Sequence, residues 1–169
     1  VKHRGAVAAD ARTADGSGLL APIPPEIFGA GNGVAVLFVR GDDPRPAVEA
    51  ALAEEGLTLV EWREPPVDPS ALGDMAREAA PRVAQAVCGG AGRDSEGERR
   101  ALRLRRRIER ATTGTYVASC SFRTVVYKSL APAGDTTVVF RDSAFADDVA
   151  KTNLAAILHQ HGVETVRSL

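Results

Sequence analysis

The chain has 169 residues, 44% hydrophobic and 25% charged, with a formal net charge of −1. Those figures suit one core-forming domain and exclude a globally basic nucleic-acid binder, though not a local basic face. No apolar run nears the roughly 18 residues of a membrane span, and the first residues lack the apolar centre of a signal peptide. A soluble cytoplasmic protein is the expectation. The two cysteines, Cys88 and Cys120, are too few for a disulfide framework and lack metal-site spacing.

Residues 1–18 are small, polar and glycine-rich and end in Asp15-Gly16-Ser17-Gly18, a loop and turn that feeds a strand. A short apolar strand follows over 19–23 and is stopped by Pro24-Pro25. The Pro25-Glu26-Ile27-Phe28 segment can open a short helix, because proline fits the first turn and an acid suits its positive end. The glycines at 29, 31 and 33 break it. Residues 34–39 (VAVLFV) are continuous and β-branched, the pattern of a buried strand.

Asp42-Asp43-Pro44 then caps a helix with Ala47, Val48, Ala51 and Leu52 on its apolar stripe, and Gly56 stops it. Residues 57–62 form a second strand, ended by Pro65-Pro66. Leu72, Met75, Ala76, Ala79, Val83, Ala86 and Val87 recur every three or four residues, so a helix is expected over 71–88, interrupted or kinked at Pro81. A flexible connector over 89–97 leads to a basic helix over 98–110. Residues 116–128 read as a strand pair or one long bent strand, 136–140 as another strand, and 146–161 as an amphipathic helix stopped by Gly162. Mixed strands and helices give an α/β or α+β class.

Candidate chemistry is sparse. Seven arginines (99, 100, 103, 105, 106, 107 and 110) crowd one helix around the apolar stripe Ala101, Leu104, Ile108 and Ala111. A phosphate-binding face looks like this, and so does a solvated helix whose Glu98 and Glu109 pair with neighbours. No aromatic residue is present there to stack on bases, which favours the second reading. The three glycines before residue 34 precede a strand, whereas a dinucleotide fingerprint follows one and opens a helix, so they read as a turn. His159 and His161 are two residues apart and make a poor metal pair on a helix; His3 is remote from both. Cys120 falls in a buried strand as a small hydrophobe. Cys88 is expected at an exposed helix end, where the dipole raises a thiol's pKa. No complete catalytic set and no metal site is visible.

The His3-Arg4-Gly5-Ala6 start, followed by Asp15-Gly16-Ser17-Gly18, resembles the amidotransferase domain of glutamate synthase large subunits. Glu61-Trp62-Arg63-Glu64-Pro65-Pro66-Val67 is similar to a Trp-Arg…Pro-Val stretch of that family. The arginine-rich helix resembles another of its segments, and Ser119-Cys120-Ser121-Phe122-Arg123-Thr124-Val125-Val126-Tyr127-Lys128 resembles its Ser-Arg-Thr…Tyr-Lys strands. The likeness runs collinearly over about residues 2–130.

The resemblance implies an α+β fold, part of the four-layer α-β-β-α sandwich of N-terminal-nucleophile hydrolases. It also implies a reaction. An N-terminal cysteine attacks the side-chain amide of glutamine, the chain's own α-amino group acts as base, and glutamate and ammonia are released. In the intact family enzyme ammonia passes through a tunnel to a synthase domain, and FMN and an iron–sulfur cluster reside in other domains. No cofactor is expected in this chain. By the same resemblance His3, Arg4 and Gly5 lie beside the nucleophile, and Asp15 and Gly16 form the turn into the next strand. The family's nucleophile lies upstream of His-Arg-Gly, neither Cys88 nor Cys120 matches it, and the glutamine-carboxylate and oxyanion motifs are not found.

The expectation is therefore a partial amidotransferase domain over 1–133, inactive alone. Its substrate by resemblance is glutamine and its partners are the remaining glutamate synthase domains or subunits, with no membrane or nucleic-acid role. The alternative is a non-catalytic interaction module or remnant whose basic helix contacts nucleic acid. An incomplete sandwich is also expected to leave strand edges uncovered and to self-associate. Residues 134–169 are expected to diverge. Their 140–153 segment loosely resembles the C-terminal tail of type III restriction-system DNA methyltransferases, although the motifs for methyl transfer are missing.

Overall fold

A computed structural model describes residues 17–65 and 69–129. The strand over 136–140 and the helix over 146–161 lie outside the described residues. The chain divides into two compact units, one made of 20–65 and 81–126 and the other of 1–19, 66–80 and 127–169.

The first unit is built on a four-stranded antiparallel sheet. Strand β1 (Ser17–Pro22) leads through the one-turn helix α1 (Pro25–Phe28) into β2 (Gly33–Val39). Helix α2 (Arg45–Glu54) connects to β3 (Thr58–Arg63); later in the chain β4 (Arg82–Gly89) is joined by α4 (Ser95–Ala111) to β5 (Thr115–Ser121). The sheet order is β3-β4-β2-β5, and β2 and β3 each run antiparallel to β4, as β5 does to β2. Each helix thus carries the chain past one intervening strand to a parallel position. That is the split β-α-β arrangement, made twice and interlocked.

The core follows from strand alternation. Ala35, Leu37 and Val39 of β2 and Ala84, Ala86 and Cys88 of β4 join Val48, Ala51 and Leu52 of α2 and Ala101, Leu104 and Ile108 of α4. The opposite faces of the same strands are also buried, with Val34, Val36, Gln85 and Val87 between 0% and 3% exposed. Burial on both sides explains why β2 and β4 read as unbroken apolar runs.

In the second unit, Pro69–Ala71 form a 3₁₀ turn and α3 (Asp74–Ala79) follows. Arg77 ties this segment together by donating to the carbonyls of Pro69 and Leu72 and to Asp74 Oδ1. Here the expected helix over 71–88 is corrected. The helix ends at Ala79, because Pro81 pushes Ala80 into extended backbone (φ −63°, ψ 124°), and the apolar residues beyond it form β4.

The segment over 116–128 is neither a strand pair nor one long bent strand: it contains two strands that belong to different sheets. β5 belongs to the four-stranded sheet, whereas β6 (Thr124–Ser129) forms a separate two-stranded sheet with β1. The chain re-enters beside its point of departure, where Ile23 N donates to Arg123 O at 3.1 Å. The basic helix starts earlier than the sequence suggests. Asp94 caps it by accepting from Gly97 N at 2.8 Å, so residues 95–97 belong to the helix and not to a connector. Gly97 is required there, since a Cβ would fall 1.8 Å from the Gly92 carbonyl oxygen.

Candidate functional site

The turn between α1 and β2 is a backbone device, as its sequence suggests. Gly29 and Gly31 both have φ near +79°, and Asn32 closes the turn by donating from Nδ2 to Phe28 O at 2.7 Å. Gly33 opens β2 opposite Cys88, and Phe122 fills the space a side chain would take, 2.8 Å from an ideal Cβ. The Arg63 guanidinium lies 5.0 Å from the centre of the Phe28 ring and reaches buried Gln85 Oε1 at 3.4 Å. None of these groups supplies a nucleophile.

Cys88 differs from its expected place. It is a core residue of β4, 1% exposed, and not the end of a helix. Burial pushes its thiol up to about 12, against a smaller opposing effect of the Gly33 backbone. Cys120 packs against the same core from β5, as expected. Burial raises its thiol as well, reinforced by the nearby Cys88 and Glu98. Both thiols are free and neutral at physiological pH, the opposite of what thiolate attack requires. Two core-facing thiols also do not make the four-thiolate set that holds an iron–sulfur cluster. Among the described residues no three His, Cys, Asp or Glu side chains converge to hold a metal ion.

The arginine helix is largely neutralised from within the chain. Glu55, only 4% exposed in its side chain, accepts from Arg103 Nε at 2.7 Å and from Arg107 Nε at 2.6 Å. Arg107 also pairs with Glu54. Burial drives the Glu55 carboxyl upward, but the two guanidiniums outweigh it and hold it below its ordinary value. Glu96 takes Arg99 at 3.4 Å and Arg103 at 3.3 Å, and Arg105 pairs with Glu109 at 2.9 Å. This favours the intramolecular reading of the arginine run for five of its seven members, counting Arg100, 3.7 Å from Glu96.

A second polar cluster fixes the crossover from β5 to β6. Ser121 Oγ donates to the Glu98 carboxylate at 3.0 Å and accepts from Arg123 N and Thr124 N at 2.9 and 3.1 Å. The same Glu98 carboxylate accepts from Phe122 N at 2.9 Å. Glu98 is therefore a turn-holding residue and not a surface partner for neighbouring arginines. Sequence reasoning missed both carboxylate roles. The available signal was the four-residue spacing of Arg103 and Arg107, which places both on one side of α4.

A shallow recess of about 380 Å³ at one end of the sheet is lined by Phe38, Arg40, Pro81, Gly114, Thr115 and Tyr116. Among the described residues that line it there is no acid and no thiol. The residues carried over from the family resemblance (His3, Arg4, Gly5, Asp15 and Gly16) lie outside the described residues, as do His159 and His161. No described helix is long and apolar enough to cross a membrane.

Comparison with known proteins supplies what the described geometry does not. A family model described as "Glutamine amidotransferases class-II" matches residues 1–166. Ferredoxin-dependent glutamate synthase 1 of Arabidopsis thaliana is 33% identical over 156 residues, covering 77% of this chain and 10% of that protein. The glutamate synthase [NADPH] large chain of Bacillus subtilis (strain 168) is 30% identical over 181 residues, covering 93% of this chain and 12% of that protein. The corresponding large chain of Azospirillum brasilense is 28% identical over 169 residues, covering 84% and 11%. The chain spans about a tenth of the length of these curated relatives. The family match runs through residue 133 and across the tail, and the methyltransferase likeness of 140–153 is not shown. The mixed α+β architecture with its antiparallel sheet is consistent with part of the family's hydrolase fold. The chain belongs to the class-II glutamine amidotransferases, with glutamate synthases among its relatives.

Proposed function

We propose that this chain is part of a glutamate-synthase-type glutaminase unit, which hydrolyses glutamine to glutamate and ammonia. The observation that carries the reading is the family match over 1–166, joined to relatives named glutamate synthases at about 30% identity. In this reading His3, Arg4 and Gly5 form the loop beside the nucleophile, and Asp15 and Gly16 turn the chain into β1. Ammonia is handed to other domains or subunits, which also carry any flavin and iron–sulfur cluster.

Neither Cys88 nor Cys120 serves as the nucleophile, because burial keeps both thiols protonated. An N-terminal amine, with an ordinary pKa near about 7.7–8.0, is well suited to activate a thiol placed next to it. The purified 169-residue chain, whose two cysteines are both kept protonated in this way, is expected to release no ammonia from glutamine by itself.

Two measurements test this. Ammonia release from glutamine by the purified chain is expected to equal the buffer background; release above it, abolished by Cys88→Ser or Cys120→Ser, overturns the assignment. The codons upstream of Val1 test the other half. An in-frame cysteine preceding a helix-coding stretch supports the reading, and a stop codon immediately upstream sinks it.

A further inference from the structure

The central strands β2 and β4 of the four-stranded body are almost wholly buried and offer little surface for a partner. Both faces of its central strands are buried, and α2 neutralises itself through Arg45 and Glu49 at 2.9 Å. The outer side of α4 is different. Arg99, Leu102, Arg106 and Arg110 recur at three- and four-residue steps, on the side opposite the buried Gly97, Ala101, Leu104 and Ile108.

Every carboxylate of α4 is already committed. Glu96 pairs with Arg99 and Arg103, Glu109 with Arg105, and Glu98 with the Ser121–Phe122 turn. Arg106 and Arg110 are exposed and have no ion-pair partner among the described residues. They stand one helical turn apart, roughly 6 Å along the axis. Leu102 lies beside them with 48% of its surface exposed. Uncompensated cations and an exposed apolar side chain thus share one stripe.

We infer that this stripe docks an acidic, amphipathic helical surface of a protein domain lying beyond this one. Three observations select that occupant. Charge complementarity asks for carboxylates one turn apart, which a helix presents at i and i+4. Leu102 in the same stripe asks for an apolar neighbour that a phosphate backbone does not provide, and α4 has no aromatic residue to stack on bases. The relatives are about ten times longer than this chain, so protein surface beyond the matched tenth is what the family supplies. The inference concerns docking alone and does not depend on glutamine hydrolysis.

The test uses the purified 169-residue chain and a fluorescein-labelled 18-residue helical peptide bearing Glu at i and i+4 steps with Leu on the same face. Fluorescence anisotropy at low salt is expected to show saturable binding that weakens as salt rises. R106E/R110E is expected to weaken it at least tenfold and Leu102→Ser about threefold, with thermal midpoints unchanged because these side chains face solvent. R45E/R82E, an equal charge reversal elsewhere, is expected to stay within twofold. Absence of saturable binding, unchanged affinity in R106E/R110E or Leu102→Ser, or tighter binding of a 20-base-pair DNA duplex each overturns the inference.

Discussion

Strands β3 and β4 are hydrogen-bonded neighbours, yet they live in different environments. β4 is buried from Ala84 to Gly89, whereas every residue of β3 is at least partly exposed. Where they pair, Glu61 stands opposite Val87, a half-open edge position facing a fully buried one. The ladder slips between Leu59 and Glu61, leaving Val60 as an extra residue 55% exposed. A bulge and charged side chains on an outer strand discourage pairing with another copy. The pair shows that strand identity comes from hydrogen bonding, while composition reports only which sides are covered.

The sharpest way to break this contrast is Val87→Asp. Placing an unpaired carboxylate at a fully buried site is expected to cost about 4 kcal/mol or more, read as a large drop in the urea midpoint. Glu61→Val, its cross-strand counterpart, is expected to stay within about 0.5 kcal/mol of the parent. Equal effects at both positions would dissolve the distinction.

Trp62→Ala comes next. Trp62 is the aromatic of β3 that packs against the core from its partly buried side, and its loss is expected to cost about 2 kcal/mol. A neutral result would mean that β3 is held by its backbone alone.

Glu55, just ahead of β3, supplies a polar anchor where the edge lacks an apolar one. Glu55→Gln is expected to lower the thermal midpoint by about 5 °C near neutral pH. The folded carboxyl lies below its ordinary value, so its stabilisation is complete above the unfolded pKa of about 4.3 and fades as pH falls through the folded one. The gap between parent and variant should therefore narrow progressively as pH falls below about 4.3. A gap that does not narrow on acidification would assign the loss to packing. Val60→Lys should have the smallest effect, within about 0.5 kcal/mol, because the bulged residue is already exposed.

The same contrast explains which parts of the fold the sequence discloses. β2 is legible because its apolar run is short, β-branched and flanked by glycine and charge. β4 hides because Val83, Ala86 and Val87 continue the three-to-four spacing of Leu72 through Ala79, and alanine carries no strand preference. Pro81 held the decisive information, through its effect on the backbone of Ala80. Helices α2 and α4 are readable from their stripes, although Gly97 in the first turn of α4 disguises its beginning.

The site is less legible for a different reason. Motifs locate the family, but Glu55 and Glu98 acquire their roles only from partners 48, 52, 23 and 24 residues away in the chain. Cys88 belongs to β4 and not to a helix end, so burial and not a helix dipole raises its pKa.

The 3.1 Å contact between Ile23 and Arg123 has a consequence of its own. It brings together the two ends of a segment of about a hundred residues, next to two strands that already pair with each other. The entropy of closing such a long loop grows only slowly with what it encloses. Insertions in the loops of this segment are therefore expected to add little to the entropy cost of bringing Ile23 and Arg123 together.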